Sequence, residues 1–189
     1  MVAFLSTNST TAKSSIPEAD HVRWDIIHLN DTTTPPTISA GGHAFASARN
    51  PSTLRIRLTG SGTFVSPASR GTSGAVTGGG TWETFNGAVL TGSGMYEVTK
   101  LASWEFANLQ TGMLLDLIDM GARANGNAVL RITYSDGSEG ILGVGCHGAG
   151  APAGIVEGVI ATKNFVTYWD ANPPVAGVDA NRTVFHIMQ

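Results

Sequence analysis

The chain has 189 residues, 24 of them glycine, with charged residues at 13% and a formal net charge of −3. That length suits one domain with a substantial core, and the low charge argues against large solvated helices. The negative balance and scattered Lys and Arg argue against nucleic-acid and membrane partners, and a single cysteine, Cys146, excludes an intrachain disulfide.

Residues 1–20 are rich in Ser and Thr and are expected to form a flexible arm or an oligomer contact, with 21–189 as one domain. MVAFLSTNSTTAKSS lacks the basic and apolar regions of a signal peptide, and no apolar run reaches a membrane-spanning length. A cytoplasmic protein is the expectation; a secreted form stays open, because the chain could begin after a cleavage.

HVRWDIIHL (21–29) reads as a strand, ended by Pro35 and Pro36. TISAGGHAFASA (37–48) is a second candidate, interrupted at Gly41 and Gly42. In TLRIRLTG, Leu54, Ile56 and Leu58 alternate with Arg55, Arg57 and Thr59.

A seven-residue phrase then occurs three times: LTGSGTF at 58–64, VTGGGTW at 76–82 and LTGSGMY at 90–96. Each runs from an apolar residue through a glycine pair to an aromatic. First and last positions are six apart, so in an unbroken strand they share a face with both glycines. Glycine-bearing strands in succession predict a meander that curves sharply, as a small barrel requires. Hairpin turns are the other reading of Thr-Gly-Ser-Gly. A polar connector lies around Ser69 to Gly74.

The last copy extends into a strand-like run to Phe106. In LQTGMLLDLIDM (109–120), Leu109, Met113, Leu117 and Met120 have helical spacing, which predicts one short helix interrupted by Gly112. ARANGN reads as a turn. NAVLRITYSDGSEGILGVGC predicts a β-hairpin turning at Asp136-Gly137, with Leu142, Val144 and Cys146 on one face and Gly143, Gly145 and His147 on the other. HGAGAPAG reads as a loop, GIVEGVIATKNFVTYWD (154–170) as one long strand, and TVFHI (183–187) as the last. The expected fold is all-β: a single antiparallel β-barrel of about eight to ten strands with at most one short helix.

No P-loop, dinucleotide fingerprint, HExxH or Gly-x-Ser-x-Gly occurs, and the five histidines form no paired metal-ligand spacing. No cofactor and no metal are expected. Glycine on an inward barrel face leaves space for a ligand. On that reading His147 and Glu157 are an acid/base pair and Arg131 holds an anionic or enolate oxygen. Tyr134, Trp104, Trp82, Glu97 and Phe165 then line the substrate. The competing reading puts the charged members on a solvated outer face, with the aromatics as core. Cys146 alternates with Leu142 and Val144 and reads as a buried hydrophobe rather than a thiolate.

VTGGGTW followed by LTGSGMYEV resembles the glycine-rich barrel strand of allene oxide cyclases and dirigent proteins. The likeness implies a hydrophobic barrel cavity, frequent oligomerisation, and cofactor-free steering of a reactive intermediate to one cyclised or coupled product. It covers about a tenth of the chain, and no family catalytic residue carries over by motif. The expectation is therefore a barrel binding a hydrophobic small molecule, as a cofactor-independent isomerase or cyclase or as a simple binder, with homo-oligomers allowed. The alternatives are a non-catalytic β-sandwich or lectin-like module and an oligomeric structural protein.

Overall fold

A computed structural model describes residues 20–67 and 71–188. Nearly all of the expected N-terminal arm, and part of the polar connector, lie outside the described residues. Fourteen strands belong to one connected sheet: β1 Asp20–Asn30, β2 Thr37–Ala40, β3 Ala44–Ser47, β4 Leu54–Leu58, β5 Ser61–Ser66, β6 Val76–Asn86, β7 Val89–Leu109, β8 Leu115–Asp116, β9 Ala122–Tyr134, β10 Glu139–Cys146, β11 Gly158–Lys163, β12 Val166–Tyr168, β13 Asp170–Ala171 and β14 Thr183–Met188. No helix among the described residues is long and apolar enough to cross a membrane.

Six strands close a ring. The order β9–β14–β1–β5–β6–β7 returns to β9 through antiparallel pairs throughout. From this ring the sheet continues in two arms, β4–β3–β13 beyond β6 and β10–β11–β12 beyond β9. The arms fold toward each other until β11 lies beside β3, covering the second half of the core.

All three glycine phrases lie along strands rather than in hairpin turns. The first spans the kink between β4 and β5, where Gly60 has a φ of +149°; the second opens β6 and the third lies early in β7. β5, β6 and β7 form the predicted meander. The strand total exceeds the expected eight to ten because several long runs are broken and short edge strands are added.

The glycines do not leave a hollow, however. Trp104 packs on Phe185 at 4.6 Å and on Phe64 at 5.4 Å between ring centroids. These residues come from β7, β14 and β5, strands that do not adjoin in the ring, so their contacts cross its interior. Trp24, Phe64, Leu101 and Phe185 are each at most 1% exposed, and burying each such side chain contributes roughly 2–3 kcal/mol.

The missing side chains admit those rings and the neighbouring backbone. A Cβ on Gly62 would stand 2.9 Å from Trp24 Nε1 and collide with the Thr77 carbonyl oxygen. One on Gly126 would come 2.9 Å from the Trp104 ring, one on Gly94 would reach 2.9 Å from Trp82 Nε1, and one on Gly140 would meet Tyr134 at 2.8 Å.

Three local expectations are corrected. Residues 109–120 form no helix: Gly112 has a φ of +102°, and Leu115 N–H and Leu117 N–H donate to the carbonyls of Pro36 and Ile38. β8 thereby pairs in parallel with β2, and Leu109, Met113, Leu117 and Met120 stay exposed. ARANGN is the start of β9, held by β14 and β7 instead of turning. The run 154–170 is a hairpin: Asn164, at φ 52°, and Phe165 turn the chain between β11 and β12.

If glycine is required for the approach of strand and ring, Gly62→Ala lowers stability by about 2 kcal/mol or more. Gly74→Ala, where a Cβ has open space, changes it by less than about 0.5 kcal/mol. Urea midpoints of the two variants check this; equal midpoints would contradict it.

Candidate functional site

The outer face of β9–β10–β11 carries a mostly apolar recess. Register places Gly143 between Val129 and Ile160, and Gly145 between Asn127 and Gly158. Cross-strand partners share a face, so the middle strand presents two side-chain-free positions in succession, and Gly158 adds a third on its neighbour. The opposite face of β10, with Leu142, Val144 and Cys146, is core.

The result is an open groove of about 320 Å³. Val129, Val156, Ile160 and Trp169 are its apolar walls, and Asn127 is the polar side chain on its rim. Ile160 leans over Gly143, and a Cβ on Gly145 would meet the Val156 carbonyl and stand 2.9 Å from Asn127 Oδ1, so the open floor lies beside Gly158, where the nearest atom to a Cβ is 3.7 Å away.

One wall comes from the loop 147–157, which is held tightly. The Glu157 carboxylate accepts the backbone N–H groups of His147 and Thr183, the latter at 2.7 Å. His147 Nδ1 donates to the Ile155 carbonyl at 2.8 Å. The buried Asn125 accepts Gly148 N–H at 2.8 Å and donates to Asn108 at 2.8 Å, while Asn108 donates to the Gly150 carbonyl at 2.7 Å. These bonds fix the loop that carries Val156. Burial pushes the Glu157 carboxyl up, opposed by its two backbone donors and by the nearby Arg182.

His147 and Glu157 are thus brought together, but through the His147 backbone; the imidazole turns to Ile155. Arg131 is not part of this group. It is exposed on β9 opposite Ile141, five residues along β10 from Cys146, roughly 16 Å at strand rise. Glu97 is exposed on β7, and Phe165 stands fully exposed at its hairpin tip.

The aromatic candidates are core. Trp104 fills the ring interior, Tyr134 donates its hydroxyl to the Thr162 carbonyl at 2.8 Å, and Trp82 Nε1 donates to the Met95 carbonyl at 3.1 Å. Lys163, 4% exposed at its side chain, lies 4.1 Å from the Trp82 ring centroid and 4.3 Å from that of Tyr134. Its ammonium is paired with Asp136 and donates to Ser138 Oγ at 2.9 Å, which holds the Asp136 carboxyl down at about 2. Cys146 is buried, accepts from Gln110 Nε2 at 3.1 Å, and has its thiol pushed up by burial.

Among the described residues no three His, Cys, Asp or Glu side chains converge as a metal site would require. Trp169, Asn127, Ile160 and Val129 were not among the predicted site residues. The signal for the last was present: counting back from the Asp136-Gly137 turn places Val129 opposite Gly143. No protein-family model, curated protein or solved structure matches the chain. The likeness to allene oxide cyclases and dirigent proteins therefore rests on residues 76–98 alone.

Two titrations follow. Glu157's folded value lies above its ordinary 4.5, so its contribution to stability is full below about 4.5 and is lost as pH rises through the raised value. The stability of the native chain relative to Glu157→Gln is expected to fall as pH rises above 4.5; a difference growing with pH would contradict this. In Lys163→Met the Asp136 carboxyl, followed by NMR, should return from about 2 toward its ordinary 3.8. An unchanged titration would show that Lys163 does not set it.

Proposed function

We propose that this protein is a small-molecule-binding β-barrel whose ligand seats in the external groove beside Gly158 and Trp169 rather than inside the ring. The ligand is compact and largely apolar, with one polar group to meet Asn127. A volume of about 320 Å³ falls at the lower end of small-molecule sites, and a mostly apolar lining with few polar groups is their usual character. The observation carrying the reading is the apolar recess beside Gly158, walled by Val129, Val156, Ile160 and Trp169.

In this reading His147 and Glu157 are positioning residues, holding the loop that supplies Val156. The cyclase or isomerase alternative would need a proton-transfer group in the groove. Glu157, the carboxyl that burial pushes upward, directs its oxygens to His147 N–H and Thr183 N–H instead, so binding is the better-supported function.

Trp169 makes the test selective. It is 54% exposed, whereas Trp24, Trp82 and Trp104 are exposed by 0%, 5% and 6%. The apolar dye 1-anilinonaphthalene-8-sulfonate should bind saturably and quench tryptophan emission, and Trp169→Ala should weaken that binding by about tenfold. Non-saturable binding, or equal affinity in the variant, would overturn the assignment.

A further inference from the structure

From Met113 to Ile118 every residue except Asp116 is apolar. A strand that is apolar at odd and even positions alike is the kind that is covered on both faces. This chain covers one of them. Leu114 and Ile118 turn inward onto Ile27, Ile38 and Val184, and Asp116 between them is hydrogen-bonded to His186 Nε2 at 2.9 Å. The alternate residues turn outward: Met113 is 85% exposed, Leu115 51% and Leu117 64%. Met120 and Leu109, which border one shallow recess, are 100% and 50% exposed.

Both acidic groups of the segment face inward. Besides its bond to His186, Asp116 lies 3.7 Å from Arg123 Nη1, and Asp119 lies 3.8 Å from Arg23 Nη1. The outward side chains carry no charge, and no Lys or Arg occurs from residue 109 to residue 122.

Area and charge decide among occupants. An anionic lipid surface calls for basic side chains around the apolar ones, and this segment has none. A small molecule would cover only part of the face. The five side chains expose the equivalent of about three and a half whole ones, on the order of 500 Å² at about 150 Å² each. A second copy of the same face doubles this to about 1,000 Å², the area at which a specific interface begins, before any polar rim is counted. An uncharged face also meets its own copy without repulsion, and a strongly apolar contact is the character of homodimer interfaces.

We propose that the protein is a two-fold dimer in which the outer face of residues 109–120, centred on Leu115 and Leu117, packs against the same face of a second copy. None of these five side chains lines the groove, so the two proposals fail separately.

Sedimentation equilibrium of the intact chain tests it. At about 100 μM the native protein should sediment with the mass of two chains, with a dissociation constant of about 10 μM or tighter. Leu117→Lys and, separately, Met113→Lys should weaken association by at least about 100-fold, because each brings like charges together across the two-fold axis. Phe165→Lys, which changes a fully exposed apolar side chain at the β11–β12 hairpin, should leave association unchanged. A native monomer at that concentration overturns the proposal, whether the face is then covered by residues 1–19, by another protein or by nothing. It is equally overturned if the folded Leu117→Lys or Met113→Lys variant associates as the native chain does, or if Phe165→Lys dissociates the dimer as they do. The mass of the native chain decides even where a variant does not fold.

Discussion

Close approach, of strand to strand and of ring to strand, is the constraint on which this molecule depends. Around a six-stranded ring the interior is narrow, and Trp24, Phe64, Trp104 and Phe185 occupy it. Such rings can lie against the sheet only where the sheet withholds a side chain. Gly62 does so for Trp24 and Gly126 for Trp104, with Gly94 and Gly140 serving Trp82 and Tyr134 in the second half of the core. The glycines that weaken a strand locally are offset by the aromatic area they allow to be buried.

The same device acts differently on the outer face. At Gly62 the vacated space is taken by a ring, and at Gly145 by the Val156 carbonyl and Asn127, whereas beside Gly158 nothing comes closer than 3.7 Å to a Cβ and a groove remains. The loop from His147 to Glu157 borders that groove, and its shape is set by hydrogen bonds from Glu157, Asn125 and Asn108. Polar groups here determine where an apolar wall stands. Structure and proposed function thus share one cause, the placing of glycine by register.

Much of this organisation was legible in the residues. Alternation and the thrice-written phrase identify strands and a meander, and Asp136-Gly137 sets the hairpin that aligns Gly143 with Val129. What could not be read was which neighbour would enter the space beside each glycine, because that depends on partners far apart in the chain: Gly126 and Trp104, or Gly62 and Trp24. A glycine-lined face therefore reads as a hollow in the sequence, whereas aromatic rings fill it in the fold. Asn164-Phe165 turns the chain within what reads as one long strand, and so sets Phe165 at an exposed hairpin tip instead of beside a ligand. The spacing of Leu109, Met113, Leu117 and Met120 resembled a helix, but the backbone there bonds to β2 instead. Bulges at Val98/Lys100 and Leu101/Ser103 shift the buried face along β7, a change that simple alternation cannot anticipate.

The central claim is that aromatic rings fill the ring of strands and that space for a guest lies outside it. Xenon-pressurised diffraction tests this directly, since xenon enters apolar cavities that water leaves empty. The account predicts density beside Gly158 and Trp169 and none among Trp24, Phe64, Trp104 and Phe185. Xenon bound among those four side chains, with the outer groove vacant, would contradict it.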